Sequence, residues 1–79
     1  MIPLYGFLEG DVLGLLILAE EHDTAAALAR NLQAAAALRV AARDDVSVWV
    51  KGMRLDPRTT LDAAGLCALD RFDVRIDPP

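Results

Sequence analysis

Seventy-nine residues are enough for one small domain, and a chain this short buries only about 60% of its unfolded surface. A net charge of −4 leaves no basic stripe to neutralise phosphates, which argues against a nucleic-acid partner. One cysteine and one histidine make neither a disulfide nor a zinc site, while a 54% hydrophobic composition exceeds what so small an interior hides.

Pro3 to Leu8 reads as a strand, and Glu9-Gly10-Asp11 as a turn in which Gly10 can take positive φ. Val12 to Ala19 is a second strand, closing an N-terminal hairpin. Its apolar run is too short to span a bilayer, and no positive segment precedes the first apolar residues as in a signal peptide. Asp23 or Thr24 can cap a helix over Ala25 to Leu38. Ala25, Leu28, Leu32 and Ala35 give that helix its apolar face. Arg39 and Arg43 fall at or beyond its end, where cations complement the helix dipole.

Asp44-Asp45 marks a turn before a third strand, Val46 to Lys51. Val46, Val48 and Val50 lie on one side of it, with Ser47, Trp49 and Lys51 on the other. Gly52-Met53 turns into a short fourth strand, Arg54-Leu55, which Asp56-Pro57 ends. Thr59 or Thr60 opens a single helical turn through Ala64, stopped by Gly65. Phe72 to Ile76 is the last strand, with Phe72, Val74 and Ile76 alternating against Asp73 and Arg75. The expected core is Leu28, Leu32, Val48, Leu55, Leu61, Leu66, Phe72 and Val74.

An α+β arrangement, one main helix over a mixed sheet, is the simplest way to bury these faces. Asp23-Thr24 before the helix, Leu28 and Leu32 on its face, and Val50-Lys51-Gly52-x-x-Leu55 carry a resemblance to ubiquitin-like β-grasp domains. Thr60-Leu61 ahead of Gly65-Leu66, and Phe72-x-Val74-x-Ile76, extend it over residues 1–79 as a single ubiquitin-like domain. Ubiquitin-like modifiers and sulfur carriers end in Gly-Gly. This chain ends Ile76-Asp77-Pro78-Pro79, so covalent transfer is not expected of it.

No constellation for catalysis is visible. Glu20, Glu21, His22 and Asp23 read as an acidic loop and helix cap, because a di-iron site needs two Glu-x-x-His units on facing helices. Cys67, in the apolar run Leu66 to Leu69, reads as a small buried core thiol, and a reduced, cytoplasmic setting fits it. Two features read instead as interaction surface. The second strand is apolar on both faces, so an apolar row including Leu16 and Leu18 can point outward from a sheet edge. The pattern leaves open whether Leu13, Leu15 and Ile17 or Val12, Leu16 and Leu18 point inward. Trp49 projects opposite Val48 and Val50 and is a candidate anchor, which Tyr5 and Phe7 on one face of the first strand can join.

Pro3, Leu8-Glu9-x-Asp11-x-Leu13, Arg39-Val40-Ala41-x-Arg43 and Val46-x-Val48 form one further set of residues. Pro57-Arg58-x-Thr60, Gly65-Leu66 and Asp73-Val74 form another. In this order they resemble the small B (gamma) subunit of bacterial toluene-type multicomponent monooxygenases. The chain departs from that pattern in a shortened turn at Lys51 to Leu55 and a more apolar second strand. The resemblance implies a non-catalytic ubiquitin-like subunit docked on the large subunit of an (αβγ)2 hydroxylase, beside a medium subunit. It implies no cofactor in this chain and a di-iron centre in the large subunit. Partner-interface residues are then expected at Trp49, Leu16, Leu18, Tyr5 and Phe7, with no membrane or nucleic-acid contact. The alternative is a free-standing ubiquitin-like adaptor.

Overall fold

The computed structural model describes residues 1–79. Strands β1 (Ile2–Leu8) and β2 (Gly14–Ala19) precede helix α1 (Ala25–Ala35). Strands β3 (Val46–Val50), β4 (Met53–Arg54) and β5 (Arg71–Ile76) follow. The strands make one mixed sheet in the order β2-β1-β5-β3-β4. β5 runs parallel to β1 and antiparallel to β3, so the last strand closes the sheet at its centre. α1 packs on one face alone. This is the ubiquitin-like β-grasp architecture, with one main helix over a mixed sheet. No helix is long and apolar enough to cross a membrane.

The inner face is set by strand alternation. Leu4 and Leu8 of β1, Ile17 and Ala19 of β2, Val48 and Val50 of β3, and Phe72 and Val74 of β5 are all buried. Ala25, Leu28, Ala29, Leu32 and Ala36 press down from the helix. Of the expected core only Leu55 is half-buried, packed against the cluster's margin. Gly6 lies beneath this layer. A Cβ there would sit 2.6 Å from Phe72 Cζ and 2.9 Å from Leu32 Cδ1, so only glycine lets the aromatic ring pack this close to β1.

Thr24 is the N-cap, its Oγ1 accepting the Ala27 N–H at 3.2 Å. Two more orphan donors of the first turn are met from the loop after β4: Ala25 N–H bonds Thr59 O and Ala26 N–H bonds Pro57 O. The same loop gives the Leu61 and Asp62 amides to Asp23 O and Glu21 O, and Thr24 pairs with Thr60 as an isolated bridge. With its backbone so committed, Leu61 to Gly65 forms hydrogen-bonded turns rather than the expected single helical turn.

Several boundaries differ from the sequence reading. The helix stops at Ala35, not Leu38. Ala36 is its C-cap, and its carbonyl accepts both the Arg39 and Val40 amides, drawing the half-buried Val40 back to the core. Leu38 is left wholly exposed, and Ala36 rather than Ala35 completes the buried face. Arg39 and Arg43 do not serve the helix end. Arg39 clamps Asp11 through Nε and Nη2 at 3.0 Å each, and Arg43 bonds Asp45. β2 starts at Gly14, because the Asp11 carboxylate accepts the Leu13 N–H and holds Val12 and Leu13 in the turn. Lys51 and Gly52, both at positive φ (53° and 78°), form the two-residue hairpin turn, so Met53 pairs with Val50. Cys67 is exposed, not a core thiol. Asp70 accepts its N–H, and Leu69 takes a φ of 69°, turning Leu66 alone inward from that run.

Leu32→Ala, at a fully buried site, should cost about 2–5 kcal/mol, and Gly6→Ala about 1–3 kcal/mol by displacing the Phe72 ring. Denaturant titration reads both, and an unchanged midpoint in either contradicts the core described. The Asp11–Arg39 clamp makes stability depend on pH. Arg39's hydrogen bonds hold the Asp11 carboxyl below its ordinary value, and the Asp11 side chain is 1% exposed. A lowered folded-state pKa means this stabilisation is complete above about pH 4 and is lost as pH falls through the folded value. Asp11→Asn should therefore destabilise at pH 7 and converge on wild type in acid. A gap that stays constant down to pH 2 would refute the clamp.

Candidate partner interface

The register decides which residues share the uncovered face of the sheet. Tyr5 lies opposite Leu16, Pro3 opposite Leu18 and Phe7 opposite Gly14. Leu15, Ile17 and Ala19 turn inward, which settles the parity of β2: Leu16 and Leu18 point out. Tyr5 is 44% exposed, Leu16 53% and Leu18 58%, side by side on two adjacent strands. This is the apolar patch of the molecule, and the helix lies on the opposite side of the sheet.

The patch reaches an open edge. Pro3 O and Tyr5 N–H bond Leu69 and Asp70 on the β5 side. The even-numbered residues of β1 therefore pair with Leu15, Ile17 and Ala19, and the Leu16 and Leu18 amides face outward from the sheet. Pro3 costs the ladder no donor, because β5 begins level with Tyr5. From Gly14 to Ala19 the edge carries no charge, proline or bulge, the usual protections of an exposed strand.

Phe7 and Trp49 share this face but are roofed. Phe7 is half-buried: its ring rests on Gly14, where a Cβ would fall 2.6 Å away, and the Arg71 guanidinium lies 4.1 Å above its centroid. Trp49 is two strands from β1, level with Asp73 of β5 and Arg54 of β4. Arg75 stacks 4.6 Å from its ring, and its indole N–H donates to Ser47 Oγ at 2.9 Å. The structure thus brings Tyr5, Leu16 and Leu18 into one patch, sets Phe7 at its border and places Trp49 beyond β5. The sequence alone does not mark the cations between them as part of the face. Arg71 and Arg75, alternating with Phe72 and Val74, were the available signal.

The rest of the surface offers little chemistry. His22 Nδ1 lies 3.2 Å from Asp62 and is 80% exposed. Thr60's side chain, then the neighbouring backbone and His22, hold the Asp62 carboxyl below its usual range. Glu20 meets the N-terminal ammonium, and Asp23 accepts the Glu20 N–H. No group of three or more His, Cys, Asp or Glu side chains converges as metal ligands. A cleft of about 260 Å³ between α1 and β3 holds Arg30, Gln33, Arg43, Asp44 and Ser47 without a base beside a nucleophile. Gln33 is spent on structure, its amide closing both hydrogen bonds on the Arg43 backbone at 2.7 and 3.0 Å.

Known structures share this fold. A chain of the toluene 4-monooxygenase HD complex with inhibitor 4-bromobenzoate superposes with a TM-score of 0.88 at 21% identity, over 96% of this chain and 98% of that one. The Caldiarchaeum subterraneum ubiquitin gives 0.80 at 18%, over 99% and 95%. The ubiquitin-like domain of an Arabidopsis thaliana protein gives 0.77 at 11%, over 99% and 79%. No curated protein matches the sequence. Residues 1–76 match the family described as toluene-4-monooxygenase system protein B (TmoB), and with nearly its whole length inside that match the chain belongs to the TmoB family.

Proposed function

We propose that this chain is a non-catalytic subunit of a multicomponent di-iron monooxygenase. It docks the uncovered face of its sheet on the hydroxylase large subunit, beside a medium subunit in an (αβγ)2-type assembly. One observation carries the reading: Tyr5, Leu16 and Leu18 form an exposed apolar patch on the face the helix leaves bare, next to an unprotected edge. Membership of the TmoB family supports it, as does the likeness to a chain solved within a toluene 4-monooxygenase complex. Oxygen chemistry then belongs to the large subunit, where the di-iron centre is expected, and this chain contributes surface and stability. Trp49 and Phe7, with their stacked arginines, form the rim beside the patch.

Co-purification of the hydroxylase subunits tests this. Leu16→Asp places a carboxylate in the apolar patch and should abolish assembly while the isolated chain stays folded. Trp49→Ala, on the rim, should weaken assembly about fivefold or less, since contacts around a central anchor contribute under about 1 kcal/mol. Assembly of both variants like wild type would show that another face docks. A wild-type chain that never accompanies a di-iron hydroxylase would favour the free-standing adaptor. The assembled complex should also lose no iron when this chain is removed under mild conditions, as metal analysis of each fraction would record. Iron travelling with this chain would contradict the division of labour.

A further inference from the structure

The uncovered face is divided by charge as well as by polarity. Its β2–β1 half carries Pro3, Tyr5, Leu16 and Leu18. Across β5, β3 and β4 the side chains are Arg71, Arg75, Lys51 and Arg54, set against Asp70, Asp73 and Asp77. With Glu9 beside Arg71 and Arg75, cations and carboxylates balance here, and what distinguishes this half is which cations are left without a partner. Glu9, at the end of β1, is occupied by the Ile76 N–H.

These cations are not equally engaged. Arg71 bonds Asp73 at 2.9 Å, and Arg54 only approaches Asp77 at 3.5 Å. Arg75 and Lys51 have no carboxylate within ion-pair distance, and Arg75 makes no side-chain hydrogen bond. Yet Arg75 is not loose. Its guanidinium stacks on Trp49, as that of Arg71 stacks on Phe7. Stacking fixes the plane of the fork, and in Arg75 the N–H edge stays free, a preorganised seat for a carboxylate that a flexible lysine does not offer; in Arg71 that edge is already turned to Asp73 through Nε and Nη2.

We propose that this half of the face is an acidic-partner receptor. Arg75, held over Trp49 with the charge of Arg71 beside it, takes a carboxylate that borders an apolar patch on the partner protein, and so sets the orientation in which Tyr5, Leu16 and Leu18 dock. The inference rests on the proposed function and names the chemistry of the surface that the large subunit presents. Charge complementarity at an interface rim acts chiefly on the association rate and its salt dependence.

The test is the association rate of the purified chain with hydroxylase stripped of it, at low and high ionic strength. Wild type should associate about tenfold or more slowly in high salt. Arg71→Glu combined with Arg75→Glu should slow low-salt association by a further tenfold or more and flatten the salt dependence. Arg30→Glu combined with Arg58→Glu makes the same change in net charge on the helix and the loop after β4, and should leave the rate within about twofold of wild type. Circular dichroism checks that both variants are folded, and Arg75→Gln serves if the reversal unfolds the chain. Equal slowing by the two pairs, or a salt-independent wild-type rate, overturns the inference while leaving assembly itself intact. A wild-type chain that binds no hydroxylase overturns the proposed function and this inference with it. Self-association in sedimentation that the Arg71 and Arg75 changes abolish identifies a second copy as the partner, and overturns the inference too.

Discussion

The Phe72 ring lies on Gly6 and under Leu32, and the rest of the molecule is arranged around that contact. It welds three elements distant in sequence: the first strand, the helix and the last strand. Because Phe72 is on β5, the contact forces the C-terminal strand into the middle of the sheet, parallel to β1. Val74 then meets Val48 across the β3 pairing, and the inner layer closes. A methyl group at Gly6 would lift the ring and loosen all three elements. That is why a glycine stands in a strand where a β-branched residue would otherwise be favoured.

An eleven-residue helix covers only one face of a five-stranded sheet. It is rich in alanine, which brings it close without spreading over the flanks. The opposite face has to be solvated or covered by another molecule. Over β5, β3 and β4 it is solvated by arginines that also roof two aromatic rings. Over β1 and β2 it is apolar and ends in an unprotected edge, an arrangement that carries a risk of aggregation in isolation. A subunit whose bare face is permanently occupied is spared that risk, so the surface chemistry and the TmoB membership point the same way.

The strand order and the single main helix were legible because the alternation in Val46 to Val50 and Phe72 to Ile76, and the spacing of Leu28 and Leu32, reflect burial directly. What stayed hidden had no local pattern. In β2 every residue is apolar, so parity is set by pairing with β1 and not by composition. The helix end is invisible in a run of alanines; only the return of Val40 to the core stops it. Arg39 was drawn away from the helix dipole by a two-pronged bond to Asp11, since a directed charge-assisted contact outweighs a diffuse end charge. Cys67 looked buried because its neighbours are apolar, yet the turn closed by Asp70 expels it. Alternation with Val48 and Val50 puts Trp49 on the outer side, but stacking by Arg75 depends on two strands pairing and cannot be read from either alone.

The proposed function requires the bare face of the sheet, and the β1–β2 patch above all, to be the surface that a hydroxylase covers. Covalent side-chain footprinting with mass spectrometry, on the free chain and on the assembled complex, reads this directly. The account predicts that labelling of Tyr5, Leu16 and Leu18 falls sharply on assembly, while Leu38, wholly exposed beyond the helix, is labelled equally in both. Unchanged labelling of the patch together with protection of Leu38 and α1 would contradict it, and would place the partner on the opposite side of the molecule.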